Sequence, residues 1–236
     1  MSSNKNRVVF FDLEYYVPED LRQNKGLAYN PWRKDNLFLG GCFLNASAAT
    51  DLHDAFDDFS IKVDSFWLWN YPSESDLVYS VYRYLLDIFH DVQSRGDDRI
   101  SPLLCGVGIT HSDWPVLLDL FRKHRILDNA EAFEFQQQFR SLDLSQLVVG
   151  FCNNATNFLY PKPKNTIFGK YTPDIQFASG KEVWDLYDQQ KHLTIEKRVI
   201  EEIACTHESY VSILEDIRYL KSLERADKAL KSKYSA

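Results

Sequence analysis

The sequence predicts an α/β fold: a mixed five-stranded sheet flanked by helices, formed as one domain over residues 1–236. Three observations predict it. Short apolar runs bounded by polar, Gly- or Pro-containing segments have the length of buried strands. After residue 73 the hydrophobic period changes from that of strands to that of helices. The resulting order is three strands, helix, strand, helix, strand, helices. Short connections suit an antiparallel meander for the first three strands. Alternating helix and strand then adds parallel strands and covers the sheet. Ligands of such sheets gather at the carboxyl ends of the strands.

Val8 to Phe11 is a four-residue apolar run, and Asp12 and Glu14 follow at its end. The polar stretch Tyr15 to Asn36, with Pro18, Gly26 and Pro31, reads as a loop over that acidic pair. Leu37 to Leu44 is the second strand, and Gly40-Gly41 inside it indicates a bulge or close backbone approach. Asp51 to Asp58 is acidic and turn-like, and the aromatic-rich Ile61 to Asn70 is the third strand. Ser73 with Asp76 three residues on resembles a capping box, and Leu77, Val81, Leu85, Ile88 and Phe89 recur at helical spacing up to a stop near Gly96.

Leu103 to Ile109 is the fourth strand, and Trp114 to Arg125 is a helix with Pro115 in its first turn. Phe133 to Asp143 holds a fifth strand, alone or after a short helix. Asn153 to Thr172 reads as a long loop, Ser179 to Gln190 as a short helix, and Ile195 to about Leu230 as a long one. Residues 226–236 are charged and expected to fray.

Hydrophobic residues make up 44% of the 236, enough for a substantial core and too many for a disordered chain. The net charge of −7 gives no bulk attraction for nucleic acid, although bound cations would offset a carboxylate cluster. Cys42, Cys105, Cys152 and Cys205 lie far apart, a spacing that suits reduced thiols and no zinc site. The N-terminal residues lack a signal-peptide pattern, and no apolar run reaches membrane-spanning length, so a soluble cytoplasmic protein without membrane contact is expected.

Three constellations carry chemistry. Asp12 and Glu14 are two apart on an extended chain, so both carboxylates project to one side. Like charges held that close call for a cation between them, and hard divalent ions prefer oxygen ligands. A polar turn after a strand is the plain alternative. In the stretch Gly106 to Leu117, Asp113 stands after a glycine-containing turn and just before a helix, either as its cap or as a ligand. On the last helix, Ile200, Ile203, Tyr210, Leu214 and Ile217 form an apolar face that includes His207, with Glu208 at its border. A core histidine and a solvated glutamate are the plain readings of those two.

Phe11-Asp12-Leu13-Glu14, then His111-Ser112-Asp113 with Pro115 and Leu117, then an acidic C-terminal helix, resemble the DEDD superfamily of 3′–5′ exonucleases. Ser179 to Tyr187 is similar to the bacterial branch near predicted ribonuclease H-like exonucleases and family B polymerase proofreading domains. The resemblance covers Val8 to about Leu220. It implies a ribonuclease H-like fold, two Mg²⁺ or Mn²⁺ ions held by four carboxylates, and hydrolysis of single-stranded DNA or RNA from 3′ ends. Carried over residue by residue, it makes Asp12, Glu14 and Asp113 metal ligands and catalytic residues.

The fourth family position is an Asp after Tyr or His. This chain has Ala204 where the tyrosine would stand and Glu208 as the acidic candidate, so Glu208 becomes the provisional fourth ligand. A register shift of one residue would put His207 there instead, as ligand or base. Loss of that ligand would leave a catalytically degenerate module that binds nucleic acid or a protein. Single strands would be gripped by loop aromatics and cations drawn from Tyr15, Tyr16, Trp32, Arg33, Lys34, Lys162, Lys164 and Lys170, which are also ordinary surface residue types.

Overall fold

Strand β1 (Arg7–Tyr16) is the centre of the sheet, because its even and odd residues are both apolar and each face needs a covering layer. A computed structural model describes residues 6–22, 29–47, 62–95, 100–152 and 159–234, with side chains through 228. On one side β1 pairs antiparallel with β2 (Leu37–Ser47), which pairs antiparallel with β3 (Asp64–Trp67). On the other side it runs parallel to β4 (Leu103–Gly106), and β4 runs parallel to β5 (Arg140–Asp143). The order is β3-β2-β1-β4-β5, the mixed five-stranded sheet the sequence predicts.

The helices are α1 (Glu74–Ser94), α2 (Asp113–Lys123), α3 (Asn129–Gln137), the single turn α4 (Leu144–Leu147), α5 (Lys164–Tyr171), α6 (Glu182–Asp188) and α7 (His192–Tyr234). Ser73 caps α1 by accepting from the Asp76 amide. Asp128 and Glu131 form a full capping box on α3. Among the described residues, no helix is long and apolar enough to cross a membrane.

Strand parity sorts the core into two layers. Val9, Phe11, Leu13 and Tyr15 of β1 pack with Leu77 and Val81 of α1, Leu117 and Phe121 of α2, and Phe135 of α3. Val8 and Phe10 pack on the opposite face with Phe168 of α5, Val183 of α6, and Val199 and Ile203 of α7. The helices thus divide by chain order, α1 to α3 on one face and α5 to α7 on the other.

Several boundaries differ from the sequence reading. The stretch expected to be loop up to Thr172 contains α5. Pro163 precedes its first residue, and Ile167 and Phe168 bury completely. The Pro, Asn and Gly residues around that apolar pair hide its helical character. The third strand is only Asp64–Trp67, followed by a 3-10 turn at Leu68–Asn70. A helix, α3, does precede the fifth strand. The charged end remains helical to Tyr234. The acidic stretch 51–58 and Gly96 lie outside the described residues.

Candidate metal centre

The parity that places Val8 and Phe10 toward α7 also places Asp12 and Glu14 there. The end of β1 is shaped by its neighbour. The register shifts between Glu14 and Tyr15, opposite Gly40. Gly40 has φ of +120°, and a side chain there would overlap the Phe66 carbonyl. A side chain at Gly41 would overlap the Asp12 carbonyl. Gly41 therefore allows the close approach of β2 to β1 beside Asp12, and Gly40 the close approach of β3 to β2.

Glu202 of α7 joins them. Carboxylate oxygens of Asp12, Glu14 and Glu202 lie within 4.8 Å of one another, all three residues being buried. Among the described residues, no other trio of His, Cys, Asp or Glu side chains comes as close. Two cations complete the cluster. Lys164, the first residue of α5, donates from Nζ to Asp12 Oδ1 at 2.8 Å and to Glu202 Oε2 at 2.7 Å. Arg198, one turn before Glu202, donates from Nε to Glu202 Oε1 at 3.0 Å. Its other nitrogens reach Glu182 at 2.9 Å and the Ala178 carbonyl at 2.8 Å, tying the 178–182 segment to the site.

Asp113 enters from the opposite layer. It is the first residue of α2, and the preceding Ser112 makes no side-chain cap bond. Tyr15, from the other face of β1, donates its hydroxyl to Asp113 Oδ1 at 3.1 Å. Asp143 holds the turn that leads to Asp113. It accepts from the Gly108 amide at 2.8 Å, from the Thr110 amide and hydroxyl at 3.1 and 2.7 Å, and from the Ser145 amide at 2.9 Å. Asp12, Glu14, Asp113, Lys164, Arg198 and Glu202 all line one cavity of about 430 Å³.

The electrostatics follow from crowding carboxylates out of water. Burial, opposed by Lys164 and helped by Glu202, pushes Asp12 up to about 8. Burial and the Asp12 and Glu202 charges push Glu14 well above the carboxylate range. Burial raises Asp113 to about 6, against the pull of Lys164 and the Tyr15 hydroxyl. Glu202 goes the other way: burial raises it, but Lys164, a hydrogen bond with Asp12 and Arg198 together bring it to about 2. Lys164 is held charged, because Asp12 and Glu202 outweigh its burial. Without a further cation, the cluster retains protons that carboxylates ordinarily lose.

The donor set suits a divalent ion. Oxygen ligands only, close together and able to give up their retained protons to an incoming cation, fit Mg²⁺ or Mn²⁺ better than softer metals.

The structure brings together Asp12, Glu14 and Asp113 of the residues singled out in sequence, and it does not bring Glu208. Glu208 is exposed on α7. It lies six residues beyond Glu202, about 9 Å further along the helix and about 120° round it. Ile200, expected on the apolar face, is 41% exposed. The buried stripe runs through Ile195, Val199, Glu202, Thr206, Ser209 and Ile213, at alternating steps of four and three. Glu202 is a charge standing where this spacing expects an apolar residue, a signal that placing Ile200 on the apolar face masks. His207 is buried with its ring edge-on to Phe10, centroids 5.1 Å apart. Of the candidate gripping residues, Lys164 and Tyr15 belong to the cluster. Trp32, Arg33 and Lys34 are exposed, Tyr16 bonds Asp188, and Lys170 lies near Asp216.

A scan against models of known protein families finds no match to this chain, and a search of curated proteins finds none.

Proposed function

We propose that the protein is a metal-dependent 3′–5′ exonuclease with a ribonuclease H-like fold, acting in the cytoplasm on single-stranded DNA or RNA ends. The observation that carries this reading is the convergence of Asp12, Glu14 and Glu202 at the carboxyl end of the central strand. The order of three antiparallel strands followed by helix-linked parallel strands supports it, as does Asp113 on the wall of the same cavity.

Asp12, Glu14 and Glu202 would hold Mg²⁺ or Mn²⁺, and Asp113, on the wall of the same cavity, would share a second ion. Such ions supply an activated water and neutralise the phosphate in an in-line displacement. The protein residues then have separate tasks. Tyr15 orients Asp113 through its hydroxyl. Asp143 fixes the turn that carries Asp113. Arg198 holds Glu202 from one side and the cavity rim from the other. The test is degradation of end-labelled single strands. Shortening from the 3′ end with Mn²⁺, none with EDTA and none for Asp12→Asn is the expected result. A ladder from the 5′ end, or cleavage of closed circles, overturns the polarity.

One observation favours a second reading, a degenerate module that binds nucleic acid or a protein without cutting: the Lys164 ammonium already neutralises part of the cluster. Binding of single strands with no degradation under Mn²⁺ would select it.

A further inference from the structure

Lys164 stands where its cation and a divalent ion would compete. Its Nζ contacts one oxygen of Asp12 and one of Glu202, two of the three residues whose oxygens lie within 4.8 Å. A Mg²⁺ ion held by these residues would sit about 2.0–2.1 Å from its oxygens, beside an ammonium 2.8 Å from Asp12 and 2.7 Å from Glu202. Two cations packed around the same pair of carboxylates repel strongly in a buried setting. We propose that Lys164 determines the divalent-ion affinity of this site: its ammonium and the ion exclude each other, so loading the ion expels the lysine from between Asp12 and Glu202. The inference rests on the reading of the cluster as a metal centre.

The geometry allows the exchange. Lys164 opens α5, and Ile167 and Phe168 of that helix are buried, so the backbone is anchored and only the side chain must swing. That side chain keeps 29% of its surface exposed, whereas Glu202 keeps 2%, so the lysine has a way out into the cavity and the glutamate does not. A monovalent ion brings no more charge than the ammonium it would replace. A divalent ion brings twice as much, so the lysine also selects for charge.

Two measurements on the full chain test this. The first is Mn²⁺ titration calorimetry on wild type and Lys164→Met. The variant is expected to bind at least about tenfold more tightly. The second uses unaltered protein: acylation of Lys164 by an amine reagent, read by mass spectrometry in EDTA and in saturating Mn²⁺. Reactivity is expected to rise with Mn²⁺ as the amine leaves its ion pairs. Binding of Mn²⁺ only by the variant also supports the inference. Equal or weaker binding by Lys164→Met, or Mn²⁺ binding to wild type without a rise in acylation, overturns it while leaving the metal centre in place. Absence of Mn²⁺ binding in both proteins overturns the metal centre and the inference together. Where Lys164→Met does not fold, the acylation comparison decides alone.

Discussion

Glu202 and Glu208 are the same residue type on the same helix, and their surroundings separate them. Glu202 is expected to matter to the ion and Glu208 not: Glu202→Gln should abolish the rise in melting temperature produced by millimolar Mn²⁺, and Glu208→Gln should leave that rise intact. Thermal melts with and without Mn²⁺ check both. Asp12 carries a pH signature. Its carboxyl, near 8 in the native state, keeps a proton that the unfolded chain loses near 3.8. The native state then binds more protons than the unfolded state between those values, so stability falls as pH rises through that window. Asp113, near 6, adds to the fall over the lower part of it. Glu202, near 2, acts in the opposite sense and only below its ordinary value of 4.5. In EDTA, the urea midpoint should therefore drop between about pH 5 and about pH 8, and Asp12→Asn should flatten the drop. Asp12 and Glu14 were legible in sequence because strand parity is unambiguous once a strand is recognised. Glu202 was not, because a helix of 3.6 residues per turn can be rotated by including one exposed apolar residue, here Ile200.

Elements with strong local signals read well from sequence. Helix α1 has a serine cap and five apolar residues at helical spacing, and it starts where those place it. Gly40-Gly41 marked a close approach, and the register shift lies there. Helix α5 was hidden because it is eight residues long and its helical character rests on tertiary burial of Ile167 and Phe168 more than on its own sequence. The glycine pair makes a test at this scale. Gly40→Ala would place a side chain against backbone at a positive φ, and should cost about 3 kcal/mol or more in urea unfolding. The turn held by Asp143 makes another. Asp143→Ala removes the acceptor of three backbone amides and one hydroxyl, freeing the turn before Asp113. It should lower both stability and the affinity for Mn²⁺, measured by melts and by titration calorimetry.

Across the whole molecule, the site lies where the two helical layers meet around the end of β1. One layer supplies Glu202, Arg198 and Lys164 and the other supplies Asp113. The layer assignment was legible in outline, since the order of strands and helices fixes which connections cross the sheet. The length of α7 was not explained by the core. Its buried apolar residues end at Ile213, and residues 219–228 are exposed along 10 of its 43 positions. Truncation after Arg218 should therefore leave the melting temperature within about 2 °C of the full chain. The spacing of the cluster along the chain also matters during synthesis. Asp12 and Lys164 are 152 residues apart, and Glu202 follows 38 later. At roughly 5–20 residues per second, a ribosome exposes Asp12 and Glu14 for about 8–30 s before their compensating lysine has been made. The nascent first strand thus carries two uncompensated acids for that interval, and the acidic cluster closes only when α7 emerges.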